Sequence, residues 1–195
     1  MERMVLASAN PKKVAELREI LDHEIDLVPR PPEVPEVVED ADTFVGNARL
    51  KAAALLAATG IASVADDSGL EVDALDGAPG VWSARYAGEG ATDEANVDKL
   101  LAALAERPDP ADRRARFRCV VVLQRPDGSE VVADGTCEGH IAPAPRGAGG
   151  FGYDPVFVPD DADGRTFGEL GAEEKHAISH RGHALAAFVA QLRDA

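Results

Sequence analysis

Two adjacent carboxylates, Asp66 and Asp67, follow the apolar run Ile61-Ala62-Ser63-Val64 after one further residue, Ala65. The run reads as a short buried strand, and Ser68-Gly69 after the acids reads as a turn. Ligands of open α/β sheets gather at the carboxyl ends of strands. A carboxylate there can hold a hard divalent cation or take a proton from water, although a plain solvated turn has the same composition. Three further groups carry compatible chemistry. Lys12 and Lys13 follow the break Ser8-Ala9-Asn10-Pro11, where free N–H groups at a helix start and two ammonium groups would make an anion site. Phe151-Gly152-Tyr153-Asp154 offers aromatic rings for stacking on a planar base and a carboxylate for its ring N–H groups. Lys175, His180 and Arg181 supply donors, and Glu39 supplies a second acid. Together these groups describe a site for a nucleoside polyphosphate and a hard metal ion. No Ser-His-Asp or Cys-His set is legible, which disfavours covalent catalysis.

The elements that must position these groups follow from the spacing of apolar residues. Met4 to Ala7 reads as a first strand, and Val14, Leu17, Ile20 and Leu21 recur at helical spacing behind it. Ser8 or Asn10 can cap that helix, with Pro11 in its first turn. Pro29 to Pro35 is an irregular connection. Thr43 can cap a helix reaching Thr59, stopped by Gly60, and Asn47 and Lys51 share one of its faces. Leu70 to Leu75 alternates as a half-exposed strand. Trp82 is expected as a core anchor beside Arg85. Thr92 or Asp93 caps a further helix, carrying Val97, Leu100, Leu101 and Leu104. Phe117–Leu123 and Glu130–Ala133 read as a hairpin around Pro126-Asp127-Gly128-Ser129, with the second strand able to run on to Ile141. Ser179 is expected to cap a last helix that carries Leu185, Phe188, Val189 and Leu192.

A chain of 195 residues suits one domain, here read as residues 1–195 in two lobes. Its net charge of -15 argues against a general nucleic-acid binder but not against a nucleotide ligand. Cys119 and Cys137 have no metal-ligand spacing and are expected as buried free thiols in a reducing cytosol. No signal peptide and no membrane-spanning run are visible, so a soluble, cytoplasmic protein is expected.

The motifs taken in order resemble the inosine triphosphate pyrophosphatase family, house-cleaning hydrolases of non-canonical purine nucleotides. They are Ser8-Ala9-Asn10-Pro11-Lys12-Lys13; Thr43-Phe44 with Asn47-Ala48 and Lys51-Ala52; and Ala65-Asp66-Asp67-Ser68-Gly69-Leu70. Gly77-Ala78-Pro79-Gly80, Ser83-Ala84-Arg85-Tyr86, Phe151-Gly152-Tyr153-Asp154-Pro155 and Ser179-His180-Arg181 complete the set, which spans nearly the whole chain. The resemblance implies an elongated two-lobed α/β fold with a twisted mixed sheet flanked by helices and the active site in the cleft between lobes. It implies a homodimer, Mg²⁺ as cofactor, and hydrolysis of ITP, dITP and XTP to the monophosphate and pyrophosphate. Carried over by position, Ser8, Ala9, Asn10, Pro11, Lys12, Lys13 and Lys51 would hold the phosphates. Glu39 and Asp67 would bind the metal, and Asp67 would also activate water. Ser68 would touch the substrate. Phe151 would stack on the base beside Gly152, Tyr153 and Asp154, and Lys175, His180 and Arg181 would meet the base edge. One departure is Gly46, where the family usually carries Glu as the capping-box partner of Thr43.

Overall fold

A computed structural model of the chain describes residues 2–8, 10–21 and 25–194, without the side chains of residues 11, 12, 19, 20 and 194. The described residues form an α/β fold around one mixed, six-stranded sheet. Its strands are β1 (Arg3–Leu6), β2 (Asp26–Val28), β3 (Ser63–Val72), β4 (Arg114–Gln124), β5 (Glu130–Ile141) and β6 (Phe157–Pro159), in the spatial order β2-β1-β3-β4-β5-β6. β1 runs parallel to both β2 and β3, whereas β6 is antiparallel to β5. The helices are α1 (Pro11–Leu21), α2 (Phe44–Thr59), α3 (Asp93–Ala103), α4 (Ala172–Ile178) and α5 (His180–Asp194).

The chain divides into two compact units, each with its own core. The first comprises residues 1–67, 119–135 and 181–195. Its core joins Met4 and Leu6 of β1 and Val64 of β3 to Cys119, Val121 and Leu123 of β4. Leu17 and Leu21 of α1 and Ala184, Leu185 and Phe188 of α5 close over it. The second unit comprises residues 68–118 and 136–180. Leu70 and Val72, Val97, Leu100 and Leu104 of α3, and a cluster of Phe117, Phe157 and Phe167 form its core.

Local chemistry explains the helix ends. Asn10 accepts from the Lys13 amide at 3.4 Å, and Pro11 takes the first position of α1, where a missing N–H costs nothing. Thr43 accepts from the Gly46 amide at 3.1 Å to start α2, and Gly60, at φ 67°, ends it in the left-handed region that glycine adopts freely. Thr92 caps α3 in the same way, through the Ala95 amide.

Three expectations are corrected. The Asp66-Asp67-Ser68-Gly69 stretch is not a turn; it lies inside the ten-residue strand β3, which then ends at Val72 rather than Leu75. Turn-forming residue types are held in a strand here because distant cations neutralise the acids, as described below. Trp82 is not a core anchor: it is 53 % exposed, with the Arg85 guanidinium 4.4 Å from its ring centroid. The first hairpin strand is longer than Phe117–Leu123, since its alternating polar residues extend β4 to Arg114–Gln124, whereas the second runs on to Ile141 as expected. The short strand β2 and helix α4 were not expected from spacing.

Arg113, 4 % exposed, ties the second unit together. It donates to the carbonyls of Ile141, Ala142, Leu104 and Arg107 at 2.7–3.1 Å, joining the end of β5 to the chain that leaves α3. Arg113→Ala is expected to destabilise the protein by about 3 kcal/mol or more, since three buried carbonyls and one part-buried one lose a charged donor. Thermal melting of Arg113→Ala and Arg113→Lys reads this, and a melting temperature within a degree of wild type for the alanine variant would overturn it. Burial pushes both the Cys119 and Cys137 thiols up to about 12. Since the thiolate is the nucleophile, native protein at pH 8 should resist iodoacetamide, and both cysteines should react in denaturant. Rapid labelling of either thiol in native protein would contradict this burial.

Candidate functional site

β3 carries the two acids into buried positions of the first unit, where Asp66 is 3 % and Asp67 5 % exposed. Successive strand residues point to opposite faces, so the two carboxylates meet different partners. Asp66 lies on the side of α1 and α5. Its Oδ2 is 3.5 Å from Lys13 Nζ and 3.4 Å from Arg181, whose guanidinium also pairs with Glu16 of α1. Asp67 lies on the side of α2. Its Oδ1 accepts from Lys51 Nζ at 3.1 Å and its Oδ2 from Asn47 Nδ2 at 3.3 Å. Lys51 Nζ is also 3.3 Å from Glu39 Oε1, so one ammonium bridges the two acids expected to hold a metal.

The environments push the adjacent carboxylates apart. Burial alone would raise Asp66, but Lys13, Arg181 and Lys51 outweigh it and hold the group well below the ordinary carboxylate range. Burial raises Asp67, and the neighbouring Glu39 charge adds to this against the opposing pull of Lys51 and Lys13. Burial also works against the Lys51 ammonium, yet Asp67, Asp66 and Glu39 prevail and its pKa is raised. Asp66 is therefore a fixed anion, and Asp67 a carboxylate with more affinity for a proton. Paired acids separated in this way are a usual mark of divided acid and base roles.

The residues around Asp67 fit a hard cation. Two oxygen donors, Glu39 and Asp67, already converge on one positive centre, the Lys51 ammonium. Mg²⁺ is commonly held by one or two carboxylates, with phosphate and water oxygens completing its octahedron. Among the described residues no cluster of three or more His, Cys, Asp or Glu side chains suits a metal, so phosphate and water would supply the remaining oxygens. Asn47 positions this pair from within α2, because its Oδ1 accepts from the Ala41 amide at 3.0 Å while its amide group reaches Asp67. Gly46 lets the preceding turn draw close to the helix. A Cβ at position 46 would lie 2.7 Å from that of Ala41 and 3.0 Å from Thr43 Oγ1. A Glu there would require Ala41, and with it the Asn47 contact, to shift.

The expected phosphate loop is partly described. The Ser8 hydroxyl accepts from the Asn10 amide at 3.3 Å. Ala9 and the side chains of Pro11 and Lys12 lie outside the described residues. Ser8 also lines a pocket of about 390 Å³ with Val14, Pro31, Pro32, Val34 and Glu36.

Phe151, Gly152, Tyr153, Asp154 and Lys175 gather in the second unit. Asp154 Oδ2 accepts from Lys175 Nζ and from the Phe151 amide, each at 2.8 Å. Lys175 Nζ is 5.0 Å from the Phe151 ring centroid, and the Tyr153 hydroxyl donates to the Ser83 carbonyl at 2.8 Å. Gly150, at φ 73°, passes so close to Asp154 that no side chain would fit. His180 belongs to the same unit, buried and stacked on Phe117 with ring centroids 4.6 Å apart. Ser68 follows Asp67 on β3 and is half-buried. Arg181, grouped at first with the base-edge donors, is placed in the first unit with Asp66 and Glu16. Sequence reasoning assigned no role to Asp66 or Glu16. The helical spacing of Lys13 and Glu16 puts them on one face of α1, which was the available signal.

Comparison with known proteins finds relatives along the whole chain. The model of the Ham1 family matches residues 4–191. A dITP/XTP pyrophosphatase of Streptomyces coelicolor is 49 % identical over 100 % of this chain and 98 % of its own. One from Yersinia pestis is 50 % identical over the whole of both. Among solved structures, a HAM1 protein from Coxiella burnetii superposes with a TM-score of 0.91 at 45 % identity, covering 100 % of each chain. A nucleoside-triphosphatase / dITP/XTP pyrophosphatase from Mycobacterium abscessus gives 0.79 at 49 % identity, over 95 % of this chain and 98 % of that one. With a family match over nearly the full chain and relatives near half identity throughout, the protein belongs to the Ham1 family.

Proposed function

We propose that the protein hydrolyses non-canonical purine nucleoside triphosphates, ITP, dITP and XTP, to the monophosphate and pyrophosphate. The observation that carries this reading is the Lys51 ammonium between Glu39 and Asp67. A lysine shared by two acids is a suitable partner for a phosphate that arrives with its own divalent cation. The full-length relatives named dITP/XTP pyrophosphatase support the substrate class.

Mg²⁺ held by Glu39 and Asp67 would offset phosphate charge and lower the pKa of a bound water. The chain's own residues do the remainder. Lys13, Lys51 and the amides at the start of α1 hold the phosphates. Asp67 takes a proton as water adds to phosphorus, and pyrophosphate leaves with the electron pair of the broken anhydride bond. Its upward-pushed pKa suits that task. Asp66 keeps Lys13 and Arg181 fixed, with Asn47 doing the same for Asp67. Phe151 stacks on the base. Lys175 and His180 donate toward O6 of hypoxanthine or xanthine, an acceptor that adenine lacks, and a buried donor left unpaired gives strong discrimination. Arg181 lies among the acids of the first unit, so it joins that recognition through any contact it makes beyond Asp66 and Glu16.

The family resemblance supports a homodimer. Free, buried Cys119 and Cys137 suit a reducing, cytoplasmic setting. Among the described residues no helix is long and apolar enough to cross a membrane.

Pyrophosphate release from ITP, measured with and without Mg²⁺, tests the reading. Asp67→Asn should lower kcat by a factor of about 100 or more. Equal release by variant and wild type would remove Asp67 from the chemistry. Asp66→Ala should instead destabilise the fold by about 3 kcal/mol or more, since it leaves Arg181 and Lys13 without their buried partner. Because the Asp66 pKa is depressed below its usual 3.8, its stabilising contribution is complete above that pH and is lost only as acid takes the pH lower. Acid titration of unfolding should show wild type losing stability below pH 3.8 and Asp66→Ala lacking that component. Superposable acid limbs would show that Asp66 is not held as an anion.

A further inference from the structure

The loop that carries Phe151 is exposed and glycine-rich from residue 143 to 150, yet the ring within it must be aimed if it is to stack on a base. A side chain's direction is set first by φ and ψ of its own residue, that is, by the two peptide planes on either side of its Cα. Both planes around Phe151 are pinned. The Phe151 N–H, in the plane before it, donates to Asp154 Oδ2 at 2.8 Å, and Lys175 holds that same oxygen. The Gly152 N–H, in the plane after it, donates to Asp93 Oδ2, also at 2.8 Å. Asp93 comes from elsewhere in the second unit, in the first turn of α3, and Gly152 itself has a left-handed φ of 60° that glycine adopts freely.

We propose that Asp93 is a positioning residue for base recognition: its carboxylate fixes the peptide after Phe151, and with Asp154 it locks both soft dihedrals of the stacking residue. The inference rests on the reading of Phe151 as the base platform. It assigns to an exposed acid on α3 a part in substrate affinity, in addition to the general benefit of an acid in a helix's first turn.

The two roles of Asp93 separate in a pair of variants. Asp93→Asn removes the charge but keeps an oxygen acceptor, whereas Asp93→Ala removes both. Hydrogen exchange at the Gly152 amide, read without substrate, should quicken in the alanine variant and stay near wild type in the asparagine variant. KM for ITP should rise about 3- to 10-fold in Asp93→Ala, with kcat within about twofold of wild type, and Asp93→Asn should restore most of it. The inhibition constant of inorganic pyrophosphate, which has no base, should not move. Unchanged Gly152 exchange in Asp93→Ala would overturn the proposal, as would faster exchange with unchanged KM. So would equal effects of both variants, which would mark a helix-charge role. If wild type released no pyrophosphate from ITP, the functional reading would fail, while the exchange measurement would still report whether Asp93 pins the loop.

Discussion

Two ionised carboxylates in the middle of a buried strand are tolerable only when cations reach them. That constraint organises the first unit. Moving a lone charge out of water costs several kcal/mol even after relaxation, and a partner removed from a buried pair leaves that cost exposed. The partners of Asp66 and Asp67 come from α1, α2 and α5, and each helix must therefore dock at a fixed height on the sheet. The apolar core of Leu17, Leu21, Leu185 and Phe188 supplies most of the burial. The ion pairs add where, along those faces, the helices come to rest. Under the proposed function, the same charges that fix the fold are the ones a triphosphate and its cation would meet, so structure and chemistry would draw on one set of residues.

Under the same proposal, the second unit meets a different demand, the aiming of a flat ring. Here the donors are neutral for the most part. Backbone amides are tied to carboxylates, Tyr153 is tied to the Ser83 carbonyl, and Gly150 allows Asp154 to approach the main chain closely. Lys175 is the exception, and its ammonium is matched by Asp154 at 2.8 Å. Arg113 plays the corresponding part farther from the site, as a buried cation whose partners are all carbonyls.

What could be read in the sequence is what depends on near neighbours. Thr43, Gly60, Thr92 and the Pro11 start of α1 act through bonds within a few residues, and their elements appear where the spacing put them. The Asp66-Asp67-Ser68-Gly69 stretch was misread because its local composition favours a turn, while the cations that permit a strand lie at positions 13, 51 and 181. Trp82 was misread for a related reason: an arginine three residues on gives its ring a partner at the surface, which hydropathy does not register. The candidate residues were legible as an ordered set of motifs. Their sorting into a group around β3 and a group around Phe151 was not, because only the folded chain places Arg181 with Asp66 and Glu16 while His180, its neighbour, stacks on Phe117.

The adjacency of Asp66 and Asp67 has a consequence for the way β3 is allowed to pair with its neighbours. A sheet strand displaced along its partners by one position turns every side chain to the other face. Elsewhere in a protein such a slip trades apolar for polar groups. Here it would also present the strongly ionised carboxylate to Lys51 and the proton-accepting one to Arg181, exchanging their charge environments. Because β1, on one side of β3, holds Val5 opposite Ser63 and Leu6 opposite Val64, the alignment that buries Val64 is the same alignment that sends each acid to its own cations.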